Sequence, residues 1–333
     1  MSDLQTQFAE FLSRSGCDPD RMTLIAGDAS NRKYYRLPRG ERSVVAMDAP
    51  PDKGEDVRPF LRIANWLGSI GLSAPDVFAA DEALGFVLLE DLGDDLYARL
   101  FETGHPERPL YVAAADLLWR LQLAPPPQGL APYSPALMAE LASLAVTWYR
   151  RGTTGSDDPD MAEDLKNQMA ARLGPLADVG QVVILRDYHA QNLIWLPERE
   201  GLRRVGLLDF QDAMTGHPAY DLVSILQDAR RDVNPGLATE VFAHFTRVTE
   251  QGPDFLEHYH LLGLQRNLRI LGVFARLCLR DGKAGYIDLI PRVWGHIRHN
   301  LAALEDAGLD RMVTSALPEP DESVLHRLRS RCA

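Results

Sequence analysis

Residues 3–14 place Leu4, Phe8, Phe11 and Leu12 at the spacing of one helical face, which predicts a short leading helix. The pattern then shortens. Apolar-rich runs over 23–26, 33–37 and 43–47 are separated by the turn sequences GDASN and PRGE, as expected of an antiparallel meander. A helix over 56–70 follows, with Phe60, Ile63, Ala64 and Leu67 on one face. Two further strands, 76–80 and 86–90, are joined by the turn DEALG. Three strands, a helix and two strands make a small α+β lobe.

After EDLGDD at 90–95 the chain becomes mainly helical, with long amphipathic stretches over 108–124, 136–150 and 159–173. This change divides the chain into a lobe of residues 1–91 and a larger, mainly helical lobe of residues 92–333. The Pro-rich piece APPPQGLAPYSP at 124–135 has similar helices on both sides and reads as a surface loop within the second lobe. Between 182 and 210 three short apolar strands, VVIL, LIWL and VGLLDF, interrupt the helices, which resume to about 307. The tail from Leu317 is Pro- and charge-rich.

Composition narrows the range of functions. A chain of 333 residues is long for a single core, which agrees with two lobes. Its apolar runs stop short of a membrane span, and the acidic, amphipathic start lacks the pattern of a secretion signal, so a cytoplasmic protein is expected. Cys17, Cys278 and Cys332 are far apart and form no CxxC pair, which argues against a disulfide framework and against a zinc site. A net charge of -12 disfavours nucleic acid and anionic lipid as partners and leaves a small molecule as the expected one. Of 35 basic residues only Lys33, Lys53, Lys166 and Lys283 are lysines, a short list from which to draw a phosphate-binding lysine.

The segment VVILRDYHAQNLIWL, residues 182–196, holds a polar cluster between two apolar strands. Asp187 and Asn192 lie five residues apart in it, and a second acid, Asp209, ends the run VGLLDF. One Asp able to orient a hydroxyl nucleophile, with an Asn and an Asp as oxygen ligands, is the set that Mg²⁺-assisted phosphoryl transfer requires. Taken singly, Asp187 or Asn192 could simply satisfy backbone groups in a turn; the combination with Asp209 is what carries the functional reading.

These residues resemble the aminoglycoside phosphotransferase and choline kinase superfamily, whose catalytic loop reads HGDxHxxN and whose metal segment reads hDF or hDW. The similarity runs from the first strands to about residue 280 and implies a bilobal protein-kinase-like α+β fold, with a small antiparallel-sheet N-lobe and a larger, mainly helical C-lobe. It implies ATP and Mg²⁺ as cofactors, Asp187 as catalytic base, Asn192 and Asp209 as metal ligands, and His189 at the family's second His. Leu185 and Arg186 depart from the pattern before the catalytic Asp. GHPAYDL, 216–222, looks like the GxPxxDL segment, where Asp221 would brace the loop; an acid favoured at a helix N-terminus accounts for it equally well.

By the same resemblance, the turn GDASNRKYYR, 27–36, covers the ATP phosphates, with Gly27, Ala29 and Ser30 small enough to let backbone amides approach them. The strand SVVAMDAPP should then carry the lysine of the V-A-I-K pattern, yet Met47 and Asp48 stand there. The phosphate cation is expected among Arg32, Lys33, Lys53 and Arg58. Adenine is expected along Glu90 to Leu92, through backbone groups.

GDAS-R-YYR, MDAPP-K, LLEDLGDD, LRDYHAQNL, LLDFQDA and QRNLRILGVFARL look most like the bacterial anomeric kinases for N-acetylmuramate and N-acetylglucosamine in cell-wall recycling. That branch implies transfer to the C1 hydroxyl, with Arg266, Asn267 or Arg269 lining the acceptor site and an Arg holding the lactyl carboxylate. Arginines on a solvated helix face are the plain alternative. An aminoglycoside or other amino-alcohol kinase, and a nucleotide-binding pseudokinase scaffold lacking the third-strand lysine, are the competing functions.

Overall fold

A computed structural model describes residues 3–27 and 31–333. In chain order the first elements are α1 (Asp3–Arg14), β1 (Thr23–Gly27), β2 (Lys33–Arg39), β3 (Arg42–Asp48), α2 (Arg58–Ser69), β4 (Val77–Asp81) and β5 (Phe86–Glu90). Helices α3 (Tyr97–Glu102), α4 (Glu107–Leu123), α5 (Pro135–Leu144), α6 (Arg151–Thr154) and α7 (Pro159–Leu173) follow. Four short strands come next: β6 (Val182–Ile184), β7 (Leu193–Trp195), β8 (Val205–Leu207) and β9 (Met214–Gly216). The chain ends with α8 (Ala219–Leu226), α9 (Pro235–Val248), α10 (Phe255–Asp281), α11 (Ile290–Leu304), α12 (Ala307–Ala316) and α13 (Glu322–Arg329).

Two compact units emerge, one made of Met1–Gln128 with Ala190–Ala213, the other of Gly129–His189 with Met214–Ala333. The change of secondary structure expected at residue 92 is therefore not where the compact units divide, since α3, α4 and the β7–β8 pair group with the sheet.

In the first unit the five strands form an antiparallel sheet of order β1-β2-β3-β5-β4, as the meander pattern predicts. One sheet face presents Leu37, Val44, Ala46, Phe86 and Leu88 to Phe8, Phe11 and Leu12 of α1. Burying each large side chain contributes about 1.5–3 kcal/mol, which is what fixes the leading helix on the sheet. Val87 and Leu89 are equally buried on the opposite face, so β5 reads as a continuous apolar run and not as an alternating one.

In the second unit α10 is the central element and packs against α5, α8 and α11. Gly272 permits this close crossing, because a Cβ there would lie 2.4 Å from the Leu144 carbonyl oxygen. The helix expected over 136–150 is α5 followed by a π-helical turn, Ala145–Arg150, and then α6. VVIL and LIWL do not pair with each other: β6 pairs with β9 and β7 with β8.

One expectation is overturned. Cys278 and Cys332 form a disulfide, although the wide spacing of the cysteines and the lack of a CxxC pair argued against one. The returning C-terminus brings them together: Arg331 donates to the Gly152 carbonyl at 2.8 Å, and the Ala333 N–H to the Cys278 carbonyl at 3.3 Å. Cys17 is free and buried. No helix among the described residues is long and apolar enough to cross a membrane.

Candidate active site

The second unit contains Asp187. Strand β6 ends at Ile184, and the next two backbone N–H groups, of Leu185 and Arg186, donate to the two oxygens of Asp221 at 2.6 and 2.9 Å. Asp221 sits in the first turn of α8 and is 2 % exposed, so it serves both readings of the sequence at once: it braces the loop from a helix N-terminus. Arg186 is held at φ 71, a left-handed backbone unusual for a residue with a side chain, and the Ser224 hydroxyl donates to its carbonyl at 3.3 Å. Burial raises the Asp221 carboxyl to about 7, against the pull of the two N–H groups.

The Asp187 carboxyl is subject to the same burial, yet it is held below the usual carboxylate range by Arg269, His189, Arg266 and Arg186. Arg269 lies against the hydroxyls of Tyr220 and Tyr133, whose rings meet edge to face at 5.1 Å, and the Arg186 guanidinium sits over Tyr133 at 5.3 Å. Arg266 is 3 % exposed and donates to the Gln227 carbonyl at 3.4 Å. Asn267 is placed differently, since its amide nitrogen donates to Gln227 Oε1 at 2.9 Å and to the Gly263 carbonyl at 2.8 Å. The structure thus brings two of the three α10 candidates to Asp187 and directs Asn267 into a buried amide network with Gln227 and Asn300.

His189 is 4 % exposed, and its Nε2 faces Arg230 Nη1 at 3.2 Å. Burial, with Arg230 beside it, lowers its pKa to about 4, so the imidazole is neutral and accepts at Nε2. Arg230, Tyr133 and Tyr220 were missed in the sequence. Only the nearness of QDARR to GHPAYDL pointed toward Arg230.

The first unit holds the other two acid–amide positions. Asn192 precedes β7 and Asp209 follows β8, and pairing of Leu193 with Leu207 sets the two ends of the hairpin side by side. Asn192 Nδ2 lies 3.4 Å from Asp209 Oδ2, and Gln211 Nε2 donates to Asp209 Oδ1 at 2.6 Å. Asp209 is left-handed at φ 55, and the following Phe210 stacks on Phe60 of α2 at 5.0 Å, anchoring the turn. An amide and a carboxylate suit a hard cation that keeps waters and phosphate oxygens as its remaining ligands. Among the described residues no group of three or more His, Cys, Asp or Glu forms a protein-only metal cage.

On the sheet, Gly27 ends β1, whereas Ala29 and Ser30 lie outside the described residues. Lys33 stands opposite Asp48 across β2 and β3. The Glu90 carboxylate is bound by Arg199 at 2.5 Å, and its backbone N–H donates to the Asp76 carbonyl at 2.8 Å. Leu92 packs beside Gly206, where a Cβ would come within 3.2 Å of it. Arg36 ties the adjoining acids down, reaching Asp91 at 2.7 Å and Asp94 at 2.8 Å.

An antiparallel sheet lobe followed by a helical remainder, with an Asp loop and an Asn/Asp hairpin, defines a kinase-like phosphotransferase. The phosphotransferase enzyme family model matches residues 21–259, and the chain belongs to that family. It is 40 % identical to an N-acetylmuramate/N-acetylglucosamine kinase of Caulobacter vibrioides over 89 % of this chain and 92 % of the relative. It is 30 % identical to the kinase of the same name from Pseudomonas aeruginosa, over 92 % of this chain and 91 % of that one. The fold also matches the crystal structure of choline kinase LicA from Streptococcus pneumoniae, with a TM-score of 0.60, 13 % identity, and coverage of 90 % of this chain and 100 % of that one. The protein is a small-molecule kinase.

Proposed function

We propose that this kinase transfers the γ-phosphoryl group of ATP to the anomeric hydroxyl of N-acetylmuramate or N-acetylglucosamine. The observation that carries the reading is the charge around Asp187, where Arg186, Arg266 and Arg269 surround one carboxylate. Such a site repels a polycationic aminoglycoside or choline and favours a neutral or carboxylate-bearing sugar. The names of the similar kinases point to the same acceptors.

Asp187 accepts a hydrogen bond from the C1 hydroxyl and takes its proton as the oxygen–phosphorus bond forms and ADP leaves, giving a sugar 1-phosphate. Its larger contribution is orientation of the nucleophile. Asn192 and Asp209 would hold Mg²⁺, which would supply charge neutralisation on the phosphate oxygens. Arg269, beside the Tyr133 and Tyr220 hydroxyls, holds the lactyl carboxylate of N-acetylmuramate. The site of action is the cytoplasm, where ATP is supplied.

ADP release with ATP and Mg²⁺ is to be measured on N-acetylmuramate, N-acetylglucosamine, choline and kanamycin. Turnover is expected on the two sugars, and Arg269→Ala is expected to raise KM for N-acetylmuramate by roughly tenfold more than KM for N-acetylglucosamine. Faster turnover of kanamycin or choline than of either sugar overturns the assignment.

A further inference from the structure

The third strand lacks the lysine that kinase-like folds direct at nucleotide phosphates, since β3 ends in Met47 and Asp48. Met47 is fully buried in the core, and Asp48 is half-buried with Lys33 and Lys53 as the cations nearest to it. Both lysines are exposed. Arg58 is exposed too and folds back onto Asp56 at 2.9 Å.

Arg32 stands apart from these three. Its side chain is 12 % exposed and its Nε donates to Glu55 Oε2 at 2.8 Å, with the Glu55 side chain 11 % exposed. Burial acts against its charge, but the Tyr34 hydroxyl and Glu55 outweigh burial and hold the guanidinium charged. Glu55 also accepts from the Asn31 N–H at 2.9 Å through its other oxygen, and Asn31 Nδ2 donates to the Lys53 carbonyl at 3.2 Å. One carboxylate therefore fixes both the guanidinium and the backbone from which β2 begins. Glu55 and the Tyr34 hydroxyl together hold this planar guanidinium in place, and a held guanidinium is a group suited to phosphate recognition.

We propose that Arg32, oriented by Glu55, supplies the phosphate-directed cation that the third strand lacks, so that an Arg–Glu pair entering β2 replaces the Lys–Glu pair of other kinases. This rests on ATP as the phosphoryl donor. Arg32 touches the nucleotide, and Glu55 is a positioning residue acting through it.

Binding of ATP and of adenosine, without acceptor, is to be measured by calorimetry on Arg32→Ala, Arg32→Lys, Glu55→Gln and Glu55→Asp, with thermal melts to confirm folding. Arg32→Ala is expected to weaken ATP by at least roughly tenfold and to leave adenosine unchanged. Glu55→Gln is expected to weaken ATP and raise KM for ATP more than it lowers kcat, with partial recovery in Glu55→Asp. The proposal is overturned if a folded Arg32→Ala binds ATP as the parent does, if adenosine falls equally, or if Lys33→Ala alone shows the phosphate-specific loss. Because no sugar is present, failure of the acceptor assignment would leave this result unaffected.

Discussion

Asp187 and Asp209 are the same residue type in opposite surroundings. Asp187 is ringed by guanidinium groups and stands on a loop whose backbone is fixed by a second carboxylate, Asp221. Asp209 follows a short hairpin strand, and the side-chain amides of Asn192 and Gln211 reach its two oxygens. A carboxylate among arginines stays ionised with its charge already balanced, which suits holding and deprotonating a hydroxyl. A carboxylate beside an amide oxygen offers the hard ligands that Mg²⁺ prefers. Under the proposed function, neighbouring charge, more than residue identity, would divide the labour between the two acids.

The sharpest test of that division is a magnesium titration of activity in Asp187→Asn and Asp209→Asn. Asp187→Asn is expected to lower kcat by roughly 10²–10⁴ with the magnesium requirement unchanged. Asp209→Asn is expected to raise the magnesium concentration for half-maximal rate by at least roughly tenfold. Identical behaviour of the two variants would break the comparison. Next in size is Asp221→Asn, which removes one of two buried acceptors and sets an NH₂ group against an N–H. A loss of about 2–4 kcal/mol in urea unfolding is expected, and little change would mean that the loop does not depend on this brace.

The smallest effect belongs to His189. Its unfolded pKa is near 6.5 and its folded value about 4, lowered by burial and then by Arg230. Between those values the unfolded chain binds a proton that the native chain refuses. The stability this residue contributes is therefore complete above its unfolded pKa and declines as pH falls toward the folded one, by at most about 1.4 kcal/mol per pH unit. His189→Gln should flatten that slope in melts recorded from neutral to acidic pH; an unchanged slope would assign the acid sensitivity elsewhere.

Much of the lobe order was legible because period-2 and period-3.6 patterns record which face of each element is buried. Phe8, Phe11 and Leu12 marked the face of α1 that meets the sheet. Asp187, Asn192 and Asp209 stood out as candidates because a polar cluster between apolar strands is where a rigid scaffold presents chemistry. Strand pairing was not. The sequence could not say that VVIL pairs with the segment at Met214 and LIWL with Val205, since several apolar triplets are equally suited to either partner.

What the sequence determined by itself was the α+β lobe order, the phosphotransferase motifs and the absence of the third-strand lysine, all properties of local pattern and spacing. Only the tertiary structure decided which arginines surround Asp187, that Asn267 turns into the amide network, that Glu55 holds Arg32, and that Cys278 meets Cys332 across 54 residues. Those contacts join residues far apart along the chain, and their energies depend on distance and burial, which exist only once the chain has packed.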